Sequence, residues 1–354
     1  MIRVVLVDDS PVALRILQTI IEADGDIVVA ASAADGVLGW QCIQEVHPDV
    51  VCTDFYMPNM NGLSLVKTIM SQSPLPILVI SVLVEENNDS ETILLVLQAG
   101  AMDILAKPPG GPTIRHDRWG RQLRQKIRAL SNAKPLNLMR RSFPVDAAVV
   151  SPSKKAAATI TGSIVVLGAS TGGPLALTRI LQALPGDFSW PIICVQHIGS
   201  AFLPGLVAWL GKTTTLPVVH AKTGDCPRPG TIYFPPPGAD LSVKDTGQFY
   251  CHPHDPGQEA VNTFSIDLTF QSLAHHFRNS VLGILLTGMG SDGARGLLEI
   301  DRQGGTTIAQ DEASSVVFGM PQQAIALGAA QKILPLDSIP GAVLTWCKTG
   351  RLSC

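Results

Sequence analysis

The sequence predicts an α/β protein with two doubly wound parallel-sheet domains in series. In the N-terminal third, short apolar runs alternate with helical patterns, the rhythm of a parallel sheet covered on both faces. A second set of buried-strand runs begins at Ile164, and each breaks at its C-terminal end into a polar or Gly-rich turn. Between the two sets, residues 132–162 are rich in Pro, Ala, Ser and Lys without a clear period, the composition of a flexible tether. The predicted boundaries are 1–131, 132–162 and 163–350. A chain of 354 residues has room for two cores, and 46% hydrophobic against 16% charged residues excludes a disordered protein.

In the first domain, strand-like runs fall at 4–7, 27–31, 50–53, 77–81 and 103–106, with helical patterns such as 12–22 and 63–71 between them. Ligands of such sheets sit beyond the carboxyl ends of the strands. Polar residues collect there. Asp8 and Asp9 follow the first run, Asp54 the third, Ser81 ends the fourth and Lys107 follows the fifth. Three convergent carboxylates repel unless a cation is present. An all-oxygen site with room for water and phosphate suits Mg²⁺. Asp54 is then the carboxylate that attacks a phosphoryl donor to give an acyl phosphate. Lys107 and the Ser81 hydroxyl hold the new phosphoryl oxygens. Singly, each Asp reads as a strand end or a helix cap; five matched positions make a site.

Charge is unevenly spread. The whole chain carries −3, yet residues 1–110 hold 4 Lys and Arg against 14 Asp and Glu, whereas residues 115–141 hold 9 against 1. A basic segment can mean nucleic acid. Beside so acidic a domain, an intramolecular contact or a solvated helix face is the simpler explanation, and no nucleic-acid partner is expected. Within this segment, residues 117–131 space Trp119, Leu123, Ile127 and Leu130 near a helical period, as the last helix of the first domain. No apolar run reaches bilayer-spanning length, and MIRVVLVDDS turns acidic too early for a signal peptide. A cytoplasmic protein with no direct membrane insertion is expected. Seven cysteines without a C-x-x-C pair read as reduced thiols. Cys251-His252-Pro253-His254, lacking a second ligand cluster, reads as a polar turn beside a strand and not as a zinc site.

The second domain opens with 164–167, a β-branched run that breaks into Gly168-Ala169-Ser170-Thr171-Gly172-Gly173 before a helical pattern from Leu175. On its own this stretch is a tight turn with a Ser cap, a phosphate cradle, or the G-x-S-x-G turn that exposes a nucleophile. Two further runs decide between them. Residues 191–196 are followed directly by His197, and 281–286 by Thr287-Gly288-Met289-Gly290-Ser291-Asp292-Gly293. Ser170, His197 and Asp292 thus each lie just past an apolar strand. If those strands are parallel neighbours, the three converge on one sheet edge. A serine hydroxyl needs an imidazole to take its proton and a carboxylate to fix the imidazole's tautomer. Rival bases are His220, His252 and His254 (the last two in a Pro-rich turn) and His275 and His276 in a helical pattern; Asp311 and Glu312 rival the acid. Asp292 is preferred because its loop resembles the one around Ser170. The order Ser, His, Asp differs from that of α/β-hydrolases.

Residues 2–127 resemble the receiver domain of two-component response regulators, on Asp8-Asp9, Asp54-Phe55-Tyr56-Met57-Pro58 with Gly62, Ser81, and Lys107-Pro108. The resemblance implies a flavodoxin-like fold, phosphorylation at Asp54, and Mg²⁺ held by Asp8, Asp9, Asp54 and the Tyr56 carbonyl. Ile104 stands where that family commonly has an aromatic switch residue. Residues 163 to about 350 resemble the catalytic domain of the CheB family of chemotaxis protein-glutamate methylesterases, a Rossmann-like three-layer fold. The matching stretches are 168–173, Gln196-His197, 286–293 and TIAQDEASSVVFGMP at 307–321. This resemblance implies Ser170 as nucleophile, His197 as base and Asp292 as its orienting acid. Thr171 and Met289 would line the site, the Met289 N–H as an oxyanion donor. No cofactor is expected in the esterase site. One departure stands out: after Val261-Asn262 the family's basic run is replaced by Thr263-Phe264-Ser265-Ile266-Asp267, shorter and without positive charge.

The expected function is a phosphorylation-activated serine hydrolase that demethylates glutamate methyl esters, and deamidates glutamines, on methyl-accepting chemoreceptors. A sensor histidine kinase would be the phosphodonor, and the unphosphorylated receiver would cover the catalytic edge. A non-catalytic receiver-linked binding module is the alternative, motivated by the altered loop near Thr263. A transcription regulator ranks last, since no helix-turn-helix candidate follows Ser151.

Overall fold

Runs of Val, Ile and Leu with no polar alternation form strands buried on both faces, and such strands must lie inside a sheet covered by helices. The computed structural model describes residues 1–81, 95–108, 117–133, 162–254 and 264–349. It divides into two compact units, Met1–Ser142 and Phe143–Cys354. Nearly all of the predicted tether lies outside the described residues.

The first unit runs β1 (Ile2–Val7), α1 (Pro11–Glu22), β2 (Ile27–Ala33), α2 (Gly36–Val46), β3 (Val50–Thr53), α3 (Gly62–Gln72), β4 (Ile77–Ser81), β5 (Asp103–Ala106) and α4 (Asp117–Ser131). All pairings are parallel and the order is β2-β1-β3-β4-β5. The chain leaves β1 on one side and returns to β3 on the other, so the sheet reverses between them. That reversal opens a crevice at the carboxyl ends of β1 and β3. Ser10, Asp35 and Asn61 cap α1, α2 and α3, each side chain accepting from a first-turn N–H.

The basic stretch is explained within this unit. On α4, Trp119, Leu123, Ile127 and Leu130 are buried. The same helix sends Arg124 to Asp24 at 2.8 Å and Arg128 to Asp24 and Asp26 at 2.6 and 2.7 Å, while Lys126 pairs with Asp103. Three cations of the basic segment and three acids of the acidic domain are therefore partners.

The second unit runs β6 (Ile164–Ala169), α5 (Gly173–Gln182), β7 (Ile192–Gln196), α6 (Leu203–Thr213), β8 (Val218–His220), β9 (Ile232–Phe234), β10 (Ala239–Val243), β11 (Phe249–Pro253), α7 (Ile266–Phe277), β12 (Val281–Leu285), α8 (Ala294–Arg302), β13 (Thr306–Gln310), α9 (Met320–Ala326), β14 (Lys332–Leu334) and α10 (Ile339–Thr349). Seven strands form a parallel sheet in the order β14-β13-β12-β6-β7-β9-β8, and β10-β11 is a separate antiparallel hairpin. The central strands β12, β6 and β7 are buried throughout. The expected parallel neighbours are therefore real neighbours, and the sheet again reverses at its first strand, β6.

One reading is corrected. Cys251, His252 and Pro253 belong to β11, paired with Leu241, Asp240 and Ala239, and do not form a turn. Proline is tolerated there because it takes the last position of a strand in a two-stranded ribbon. Among the described residues no helix is long and apolar enough to cross a membrane.

Candidate active site

Three adjacent strands end side by side, and each delivers one of the residues singled out by the sequence. In register, Leu285 of β12 pairs with Gly168 of β6, and Ala169 of β6 pairs with Gln196 of β7. Ser170, His197 and the loop carrying Asp292 follow directly. The His197 N–H donates to the Ala169 carbonyl at 2.8 Å, and the Ser170 N–H to the Thr287 carbonyl at 3.0 Å, so all three loops are tied to one another by backbone.

His197 Nε2 lies 2.8 Å from Asp292 Oδ2. An ionised carboxylate only accepts, so the proton on this side belongs to Nε2, and the lone pair of the neutral ring is on Nδ1. Asp292 is held by three more donors. Its Oδ2 also accepts from the Ile266 N–H at 2.8 Å, and Oδ1 from the N–H groups of Asp267 and Gly293, each at 3.0 Å. Ile266 and Asp267 are the first two residues of α7, whose N-cap Ser265 serves the Leu268 N–H. Asp292 thus takes donors that every helix start leaves unpaired, at the positive end of the helix dipole. Burial pushes its carboxyl up, but the His197 hydrogen bond and charge and the α7 N–H groups outweigh it, leaving the group below its usual value. The acid is ionised at neutral pH.

Ser170 is buried, and its carbonyl accepts from Gly173 N–H at 2.7 Å and from Gln196 Nε2 at 2.8 Å. Gln196 Nε2 also donates to the His197 carbonyl at 3.0 Å. One buried amide therefore clamps the backbones of Ser170 and His197 together. Among the described residues no hydrogen bond joins the Ser170 hydroxyl to His197, a contact that in ligand-free sites commonly tightens only around substrate. On the other side, Gly288 is required by space: a Cβ there would lie 2.6 Å from Ser170 Cβ, with Met320 Sδ also in its way. Thr287 donates its hydroxyl to the Thr171 carbonyl at 2.9 Å, and its N–H to Gln310 Oε1 at 2.8 Å. Thr171 is buried next to Ser170, and Met289 is half-buried on the facing loop. Among the described residues no hydrogen bond occupies the Met289 N–H.

The rival residues are engaged elsewhere. His220 Nδ1 is 2.9 Å from the Pro235 carbonyl, His252 Nε2 is 2.7 Å from Ser242 Oγ, and His254 Nε2 is 3.4 Å from Asp240. His275 sits on α7 opposite Glu299 at 3.2 Å, and His276 packs edge-on against Phe277. Asp311 accepts from the N–H and hydroxyl of Ser314. Glu312 lies in the same turn after β13, its carbonyl accepting from the Ser315 N–H. The clamp by Gln196, the brace by Thr287 and Gln310, and the α7 terminus under Asp292 are what sequence reasoning missed. Gln196 and Gln310 do carry a signal: each is a large polar residue ending an apolar strand.

In the first unit, carboxylate oxygens of Asp8, Asp9 and Asp54 lie within 4.8 Å of one another. Lys107 bonds Asp8 at 2.6 Å and also pairs with Asp54. Asp54 Oδ1 accepts from the Phe55 N–H at 2.5 Å, and Asp8 Oδ1 from the Ser10 N–H at 3.0 Å. Ser81 is buried opposite Ala106 in register, and its carbonyl accepts from the Lys107 N–H at 2.9 Å. Tyr56 follows, exposed, its ring edge-on to Phe55. Burial raises the Asp8 carboxyl despite Lys107. Burial lowers the Lys107 ammonium, yet Asp54 and Asp8 more than restore it, and the net shift is upward. Three carboxylates against one ammonium leave an acidic, all-oxygen cluster that fits a hard divalent cation.

Comparison with known proteins agrees over both units. Residues 165–343 match the family model for the CheB methylesterase, and residues 4–116 that for the response regulator receiver domain. Protein-glutamate methylesterase/protein-glutamine glutaminase 3 of Rhodopseudomonas palustris (strain BisB18) is 37% identical over 352 residues, 98% of this chain and 96% of its own. The same-named protein 2 of Anaeromyxobacter dehalogenans (strain 2CP-C) is 39% identical over 345 residues, 97% and 96% of the two chains. The crystal structure of the Thermotoga maritima CheB methylesterase catalytic domain is 35% identical, covering 52% of this chain and 99% of that one, with a TM-score of 0.49. This chain belongs to the CheB methylesterase family and carries a response regulator receiver domain ahead of its methylesterase domain.

Proposed function

We propose that the chain is a phosphorylation-activated serine hydrolase that removes methyl groups from glutamate γ-methyl esters, and amide groups from glutamines, on methyl-accepting chemoreceptors. The relatives named above are protein-glutamate methylesterase/protein-glutamine glutaminases over nearly their whole length. The observation that carries the reading is the 2.8 Å His197–Asp292 bond on strands flanking the Ser170 strand. Ser170 Oγ attacks the glutamyl carbonyl carbon while His197 Nδ1 takes its proton, and Asp292 stabilises the imidazolium. The oxyanion faces the Met289 N–H, with Thr171 lining the site. Collapse of the tetrahedral adduct expels methanol, which takes the proton from Nδ1, and leaves an acyl ester on Ser170. A water, deprotonated by the same nitrogen, then releases glutamate and restores the serine. For a glutamine the leaving group is ammonia and the second half is identical.

Asp54 is the proposed phosphorylation site, with Lys107 and Ser81 on the phosphoryl oxygens. Asp8, Asp9, Asp54 and the Tyr56 carbonyl are proposed to hold Mg²⁺, which neutralises charge during phosphoryl transfer when bound. A sensor histidine kinase supplies the phosphoryl group in a cytoplasmic pathway. Phosphorylation adds nearly two negative charges to a cluster already short of cations and relieves the receiver's restraint on the hydrolase. The domains run 1–131 and 163–350, joined by a tether at 132–162. The test is methanol release from a methyl-esterified receptor fragment, with and without a small phosphoryl donor. Ser170→Ala abolishes release and Asp54→Asn abolishes the response to the donor. Equal rates with and without donor in the wild type would remove the gating, and release by Ser170→Ala would remove the hydrolase reading.

A further inference from the structure

The loop that carries Asp292 and the helix that supports it are locked in both directions. Asp292, just before α8, accepts from the first N–H groups of α7 at 2.8 and 3.0 Å. Asp267, in the first turn of α7, sends its own carboxylate back: Oδ1 accepts from the Gly296 N–H, in the first turn of α8, at 2.6 Å. Each helix start is thus capped by a carboxylate belonging to the other. The exchange needs the two helices very close together. A Cβ on Gly296 would lie 2.5 Å from Phe270 Cβ and 3.1 Å from the Asp267 Cα and carbonyl oxygen. Only a glycine at 296 leaves room for the lock.

We infer that Asp267 is a positioning residue for the hydrolase reaction, acting through Asp292. The inference rests on the reading of Ser170, His197 and Asp292 given above. Asp292 sits in a Gly-rich loop, and two of the three N–H groups that hold its carboxylate belong to the start of α7. Asp267 fixes where that helix start lies relative to α8, and hence where Oδ2 meets His197 Nε2. Among the described residues no hydrogen bond or ion pair joins the Asp267 carboxylate to His197 or Ser170. Burial and the neighbouring Asp292 charge raise the Asp267 carboxyl, so the lock is held against electrostatic cost by the Gly296 hydrogen bond. A misplacement of about 1 Å at a catalytic group costs on the order of 10²-fold in rate.

The test compares full-length wild type, Asp267→Ala, Asp292→Ala and the double variant, each with the small phosphoryl donor, on a peptide bearing a glutamate γ-methyl ester. Asp267→Ala is expected to lower kcat by about 10- to 100-fold with KM within about twofold. Asp292→Ala loses about 10⁴-fold, and the double variant loses no more than Asp292→Ala alone. Multiplying losses, or a loss carried by KM, overturns the inference. Asp267→Asn keeps an oxygen for Gly296 and is read whether or not the alanine variant folds. Activity within about threefold of wild type is expected, and a loss as deep as that of Asp292→Ala overturns the hydrogen-bonded lock. If the wild type itself releases no methanol, the hydrolase reading has failed, which is a distinct outcome.

Discussion

Replacing Asp292 by Asn changes one atom and tests the acid most sharply. The carboxylate accepts from His197 Nε2 and from the N–H groups of Ile266, Asp267 and Gly293. An amide of the same shape has one accepting oxygen and one N–H₂. With its oxygen on the Asp267 and Gly293 side, the N–H₂ faces the Ile266 N–H and His197 Nε2, donor against donor. The ring then shifts its proton to Nδ1, the nitrogen that in the proposed reaction must be empty to receive the Ser170 proton. The wrong tautomer and the lost charge beside the imidazolium together cost about 10⁴-fold in kcat. That is ~5 kcal/mol at the transition state. The Ile266 N–H loses its acceptor as well, a stability cost of about 1–3 kcal/mol. The assay is steady-state methanol release from a glutamate γ-methyl ester peptide, with urea unfolding on the same samples. KM should change little, since both Asp292 oxygens are taken up by His197 and backbone N–H groups. A folded variant retaining kcat within about tenfold of wild type would refute the role given to Asp292.

Three other outcomes follow from the same contacts. Gly288→Ala drives a methyl group against Ser170 Cβ, so methanol release should fall by on the order of 10²-fold while the fold, read by circular dichroism, persists. Lys107→Ala leaves Asp8, Asp9 and Asp54 without their ammonium; the variant should melt lower than wild type without Mg²⁺ and gain more in Tm when Mg²⁺ is added. An unchanged Mg²⁺ response would count against the cation site. Asp292 has a folded-state pKa below its unfolded one, so its stabilisation is fully present above the ordinary aspartate value and is lost as pH falls through the lower, folded value. The stability difference between wild type and Asp292→Asn should therefore shrink as the pH falls through the acid range; a difference that stays constant into acid would contradict the linkage.

Much of this protein was legible along the chain because its strands are written in local chemistry. A run such as Ile164-Val165-Val166-Leu167 has no polar face to offer water, so it must be an inner strand, and the residue just beyond it must sit at the sheet edge. That logic places Asp8, Asp54, Lys107, Ser170 and His197 at strand ends from the local sequence alone. It failed at Cys251–Pro253, where proline suggested a turn. The strand there exists through pairing with Ala239–Leu241, a partner that the local composition does not name.

The sequence by itself determined the two α/β units and the residues at their strand ends. The tertiary structure alone decided that β12, β6 and β7 are neighbours, that Nε2 rather than Nδ1 of His197 meets Asp292, and that α7 supports the acid while Asp267 locks it in return. The physical reason is range. Strand and cap preferences are set within a few residues, whereas a carboxylate capping a helix 25 residues away depends on how close two helices pack, and that is fixed by a single missing side chain at Gly296.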